Sequence, residues 1–115
     1  MPIDARYVFI ASMDIDADKE AIFNEVYDTE HIPQLLRVPG VRSATRMKGE
    51  PFAVSIGGAA NAVAHQGPVY SAMFEIDSPD VLVSAQWTNA VDAGRWPKEV
   101  RPYTRNRQHA LFKVR

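Results

Sequence analysis

The chain contains no cysteine. That excludes a disulfide framework, a thiolate zinc site and a thiol nucleophile, and it is compatible with a reducing compartment. No run of about 18 apolar residues occurs, the length a membrane-spanning helix needs, and the start, Met-Pro-Ile-Asp-Ala-Arg, has no basic stretch leading into an apolar one. A soluble, unexported, cytoplasmic protein with no membrane partner is expected. Neither sign of charge is in excess: 13 Lys and Arg stand against 14 Asp and Glu, a net charge of -1, whereas a nucleic-acid-binding domain would be strongly basic. Nucleic acid is therefore not an expected partner. His31, His65 and His109 lack the close spacing of a His-x-x-x-His metal motif, so no metal is expected. Gly57-Gly58 lacks the lysine and the strand-to-helix context of a phosphate loop, and Ser71 and Ser84 lack a nucleophile elbow.

What is present is the composition of an ordinary globular domain, 46% hydrophobic and 23% charged over 115 residues, enough for one domain spanning 1–115 with one modest core. The charge is unevenly placed. The first thirty residues hold eight acids against Arg6 and Lys19, and the stretch from Arg95 to Arg115 holds seven bases against Glu99. The two ends can attract one another within or between chains, or simply form two solvated faces.

Aromatic and β-branched residues from Tyr7 to Met13 predict a first strand, apolar on both sides. A polar turn at Asp14 to Asp18 leads into a helix running from about Asp18 to His31. Pro33 has no N–H to give the carbonyl of Thr29 and disfavours helix at Ile32, so the helix must bend or restart beside His31 before continuing to Arg37. Tyr27 and His31, four residues apart, share one face of it. Val38-Pro39-Gly40 ends the helix, and Val41 to Lys48 is a second strand, with Val41 and Met47 on one side and Ala44 and Arg46 on the other. Residues 49–67 have no sustained period and read as a long loop insertion, a candidate lid bearing Phe52, Ile56 and His65. Val69 to Ile76 is a third strand. Ser78 and Pro79 suit the start of a second helix that buries Val81, Leu82, Ala85 and Val91 and closes at Gly94. Pro97 and Pro102 limit the next segment to short turns, and Arg107 to Val114 is the last strand.

The order is βαββαβ. It predicts an α+β, ferredoxin-like domain: a four-stranded antiparallel sheet with two helices on one face. Strands apolar on both sides leave the helix-free face in need of cover, and a second copy of the sheet in a twofold homodimer is the economical one.

With that order in place, Glu30-His31-Ile32-Pro33, Pro39-Gly40-Val41 and Ala44-Thr45-Arg46 resemble the EthD-like group of the dimeric α/β-barrel superfamily, with a weaker match at Asp77 to Val81 and Gly94 to Pro97. The resemblance implies a dimeric α/β barrel with a small-molecule pocket. It also implies, for those members that are enzymes, acid–base chemistry by histidine and tyrosine without a cofactor. His31 is the residue carried over by motif, as a catalytic or ligand-contacting histidine or as a structural one bonding a freed carbonyl. Tyr27 is its candidate partner in catalysis.

Candidate ligand contacts are Arg46, Tyr70, Trp87, Trp96 and His109. Against each stands a plainer role: an ion pair for Arg46, core or interface packing for the aromatics, a satisfied structural histidine for His109. Two functions of different class follow. One is a cofactor-free enzyme moving a proton on a small aromatic or carbonyl compound by isomerisation, cyclisation or a related step. The other is a non-catalytic, ligand-binding accessory protein of a degradative pathway.

Overall fold

The computed structural model describes residues 3–115. Six strands are present: β1 (Tyr7–Ile15), β2 (Val41–Lys48), β3 (Phe52–Ile56), β4 (Ala59–Val63), β5 (Tyr70–Ile76) and β6 (Thr104–Lys113). Three α-helices, α1 (Glu20–Val26), α2 (Ile32–Leu36) and α3 (Ala85–Val91), alternate with them. The main sheet is antiparallel with order β2-β5-β1-β6, the ferredoxin-like arrangement expected from the element order. In its centre Phe9 stands opposite Phe74, and Met13 opposite Tyr70, all facing the helices. The core between sheet and helices is built on Phe23 and Val26 of α1, Leu35 of α2, Phe74 and Ile76 of β5, and Val100, all at most 1% exposed. Each such side chain contributes roughly 1.5–3 kcal/mol by leaving water.

The proline near His31 is accommodated by widening rather than by breaking. Between α1 and α2 the chain makes a π turn, Tyr27–His31, in which the Ile32 N–H donates to the Tyr27 carbonyl five residues back. Pro33 then falls in the first turn of α2, where its missing N–H costs nothing. A second π turn, Trp96–Val100, holds Pro97 in the same way.

Three expectations need correction. Residues 49–67 are not an irregular loop: β3 and β4 pair as a hairpin, a separate two-stranded sheet, and Gly57-Gly58, both with positive φ, form its two-residue turn. Its side chains are exposed apart from the half-buried Val63. The second strand does not alternate evenly, because a bulge between Val41 and Ser43 turns Val41 to the core side with Ala44 and Arg46, leaving Met47 on the other. The second helix is split. A 3₁₀ turn, Pro79–Val83, is followed by extended backbone at Ser84, which restarts the helix and shifts its phase, so that Ala90 is buried and Ala85 exposed.

Candidate functional site

A cleft of about 160 Å³ lies between the sheet and the helices, where the two π turns meet. The sheet supplies Phe9, Ala11 and Met13 of β1, Phe74 of β5, and Arg107 and His109 of β6. Tyr27 and His31 enter from the first π turn and Trp96 from the second. Trp87 and Val91 come from α3, and Arg101 follows the second π turn. The helix α3 is fixed by Ser84, whose Oγ accepts from the Trp87 N–H at 3.2 Å.

His31 and Trp96 stack at 4.1 Å between ring centres, 13° from parallel, and Tyr27 meets both rings edge-on at 5.0 Å. His31 is 6% exposed, and its Nδ1, sealed from solvent, has no hydrogen-bond partner among the described residues. Burial, reinforced by the nearby Arg101 guanidinium, lowers its pKa to about 4, so the ring is neutral at pH 7. Burial pushes the Tyr27 phenol up to about 12, against the opposing pull of Arg46. On the sheet side His109 stacks on Phe9 at 5.7 Å, and Trp87 meets Phe9 and Phe74 edge-on.

The cleft thus gathers five of the seven residues singled out from the sequence: His31, Tyr27, Trp87, Trp96 and His109. Arg46 and Tyr70 lie outside it, beyond Tyr27. Arg46 donates to Asp28 and Asn24 at 2.9 Å with its guanidinium 4.5 Å above the Tyr27 ring, and the Tyr70 hydroxyl lies 2.6 Å from Glu20 Oε2. His109 is not a buried, satisfied histidine: it is exposed along the cleft wall. His65, expected with Phe52 and Ile56 on a lid, instead bonds the Pro68 carbonyl at 2.8 Å away from the cleft. Arg101 and Arg107 line the cleft without having been anticipated. The one signal for Arg107 is Asn106, a residue at ease at positive φ, here 55°. It marks a bulge in β6 that sends Arg105 to Asp16 while Arg107 stays on the His109 side.

A second depression between α2 and α3 is larger, about 400 Å³, but shallow and lined by Gln34, Arg37, Gln86 and Asn89 with no buried titratable group. It offers no comparable chemistry. Among the described residues no three of His, Asp and Glu approach closely enough to hold a metal ion, and no helix is long and apolar enough to cross a membrane.

No family model matches the sequence, and no curated protein matches it. Solved structures do match. An EthD family protein from Bacillus halodurans aligns with TM-score 0.60 at 11% identity, over 95% of this chain and 99% of its own. The two chains share a fold. A variant of MhuD with two manganese protoporphyrin IX molecules bound per active site aligns with TM-score 0.61 at 12% identity, over 94% and 93% of the two chains. A protein assigned as an antibiotic biosynthesis monooxygenase from Nitrosomonas europaea aligns with TM-score 0.55 at 14% identity, over 94% and 97%. At these identities the likeness is one of fold, and the resemblance to the EthD-like group read from the sequence is matched at that level.

Proposed function

We propose that the cleft binds a small organic molecule and that the protein is a cofactor-independent enzyme for proton-transfer chemistry on an aromatic or carbonyl compound, with His31 touching the reacting group. The observation that carries this is the buried, uncharged imidazole on the wall of an aromatic cleft, with a nitrogen that no protein group engages. The ring lines the cleft, and its Nε2, which is not sealed as Nδ1 is and makes no hydrogen bond among the described residues, is the atom a ligand hydroxyl or carbonyl would meet. A neutral imidazole polarises a carbonyl without first having to lose a proton, and the Tyr27 phenol beside it keeps its proton at neutral pH.

The metalloporphyrin that the MhuD variant holds is larger than the space enclosed here. A cavity of about 150 Å³ holds a benzene ring, and a porphyrin carries four pyrrole rings in one plane. The space here, about 160 Å³, is of the single-ring size.

The test is protein-dependent exchange of ligand protons with D₂O, followed by NMR on carbonyl compounds that raise the melting temperature in a thermal-shift screen. The enzyme reading expects exchange to fall about 10²-fold in His31→Gln. Binding that survives with no exchange in either protein supports the second reading, a non-catalytic accessory binder, which is favoured by the weak basicity of His31 in the empty cleft. We further infer a cytoplasmic homodimer formed through the helix-free sheet face, supported by the apolar side chains exposed there.

A further inference from the structure

The chain as a whole carries one more negative charge than positive, yet the cleft is lined by no carboxylate. Its permanently charged lining groups are both guanidiniums. Arg101 is held at the wall by the Val91 carbonyl at 2.9 Å and Asp92 Oδ1 at 2.6 Å, outside the lining. Arg107, by contrast, forms no ion pair with any described residue, although other arginines on the same basic end find acids: Arg95 with Glu30 and Glu25, Arg105 with Asp16. The β6 bulge at Asn106 separates these two fates, since Arg105 and Arg107 would share a side in an unbroken strand. An arginine's planar fork suits a carboxylate in particular.

The remaining walls specify shape. His31 on Trp96 and His109 on Phe9 are near-parallel stacked pairs, and Trp87, also on the wall, meets Phe9 edge-on. Flat rings between such faces are matched by another flat ring. The enclosed volume, about 160 Å³, matches a cavity that holds one ring of benzene size.

Resting on the reading of the cleft as a small-molecule site, we propose that its ligand is a single-ring aromatic carboxylate, with the ring between the aromatic walls and the carboxylate on Arg107. The positive field that Arg101 already exerts on His31 acts in the same sense, favouring a ligand that arrives negatively charged.

Benzoate and its neutral isostere benzamide are the probes, titrated calorimetrically into the native protein, Arg107→Gln and, as a control outside the cleft, Arg105→Gln. A charge-assisted contact to Arg107 should make benzoate bind at least about ten-fold more tightly than benzamide. That preference should vanish in Arg107→Gln, leave benzamide affinity unchanged there, and persist in Arg105→Gln. Equal binding of the two probes to the native protein overturns the charge assignment while leaving the cleft a small-molecule site. Undiminished benzoate binding in Arg107→Gln also overturns it. If neither probe binds, the proposal fails. The broader reading then survives only if the thermal-shift screen yields a neutral compound whose effect is lost in His31→Gln.

Discussion

The imidazole of His31 carries two costs: a proton on it would be a buried charge beside Arg101, and its Nδ1 has no partner among the described residues in either protonation state. The first cost sets a pH dependence. The folded pKa, about 4, lies below the ordinary 6.5, so the unfolded chain binds a proton that the folded one refuses as pH falls through that interval. Stability from this group is fully present above about pH 6.5 and is lost progressively down to about pH 4, a total of about 3 kcal/mol. In urea titrations at about pH 7.5 and about pH 4.5, His31→Gln should lose about 2–3 kcal/mol less than the native protein over that interval. Equal losses would remove the claim that the ring is held neutral. The depressed Asp14 and Glu30 carboxyls, each held down first by a hydrogen bond it accepts, titrate alike in both proteins and cancel. At this scale the sequence led to Tyr27 and His31 on the cleft wall, because they lie where an apolar stripe meets a proline break, whereas His109 sits among bases and reads as a satisfied structural histidine. Arg101 and Arg107 were hidden: a run of bases near a chain end reads the same whether each base meets an acid or a cavity, and only the bulge at Asn106 sorts Arg105 from Arg107.

Both π turns place a ring of the central stack, His31 closing one and Trp96 opening the other, so the elements that relieve a proline also build the site. The proline breaks were legible in the sequence; that the helix would widen rather than stop was not, since a proline marks the hydrogen bond that is lost and not the one that replaces it. The break at Ser84 was missed for another reason. Ser78-Pro79 is the stronger local signal for a helix start, but Ser78 makes no capping bond with its side chain, and Ser84 does. Ser84→Ala should therefore cost about 1 kcal/mol, measured by urea unfolding, and weaken ligand binding through Trp87, while Ser78→Ala should change stability by much less. The reverse order would mean that α3 is held by its packing alone. The turn into β2 makes a sharper demand: Gly40 has φ of 92°, and a Cβ there would stand 2.5 Å from Val81 Cγ2. Gly40→Ala should cost about 2 kcal/mol or more in the same measurement.

The whole molecule is less round than its length suggests, with a radius of gyration of 15.8 Å and extents of 50 × 39 × 19 Å, where about 13 Å is usual for a compact chain of this size. The uncharged hairpin of β3 and β4, with Phe52, Val54 and Ile56 exposed, adds apolar surface to that of the sheet. On the helix-free side Phe112 and Ala110 of β6, Ile10 of β1, Met73 of β5 and Met47 of β2 form a band crossing all four strands, with Phe112 56% and Met47 39% exposed. The reading of strands apolar on both sides holds only in part, since β5 turns Tyr70, Phe74 and Ile76 to the core and gives the helix-free side Ser71, Met73 and Glu75; the hairpin was missed because its alanines and glycines carry little strand signal. Leaving such a band wet costs about 25 cal/mol per Å², and a second copy of the same face about a twofold axis is the economical cover. Sedimentation equilibrium at micromolar concentration should accordingly show a dimer, and Phe112→Glu, which sets a charge in the band without touching the cleft, should shift it toward monomer while leaving the circular dichroism spectrum unchanged. A native protein that sediments as a monomer removes the sheet-face dimer. A native dimer unaffected by Phe112→Glu places the contact elsewhere, with the hairpin, the other exposed apolar surface, as the next segment to charge.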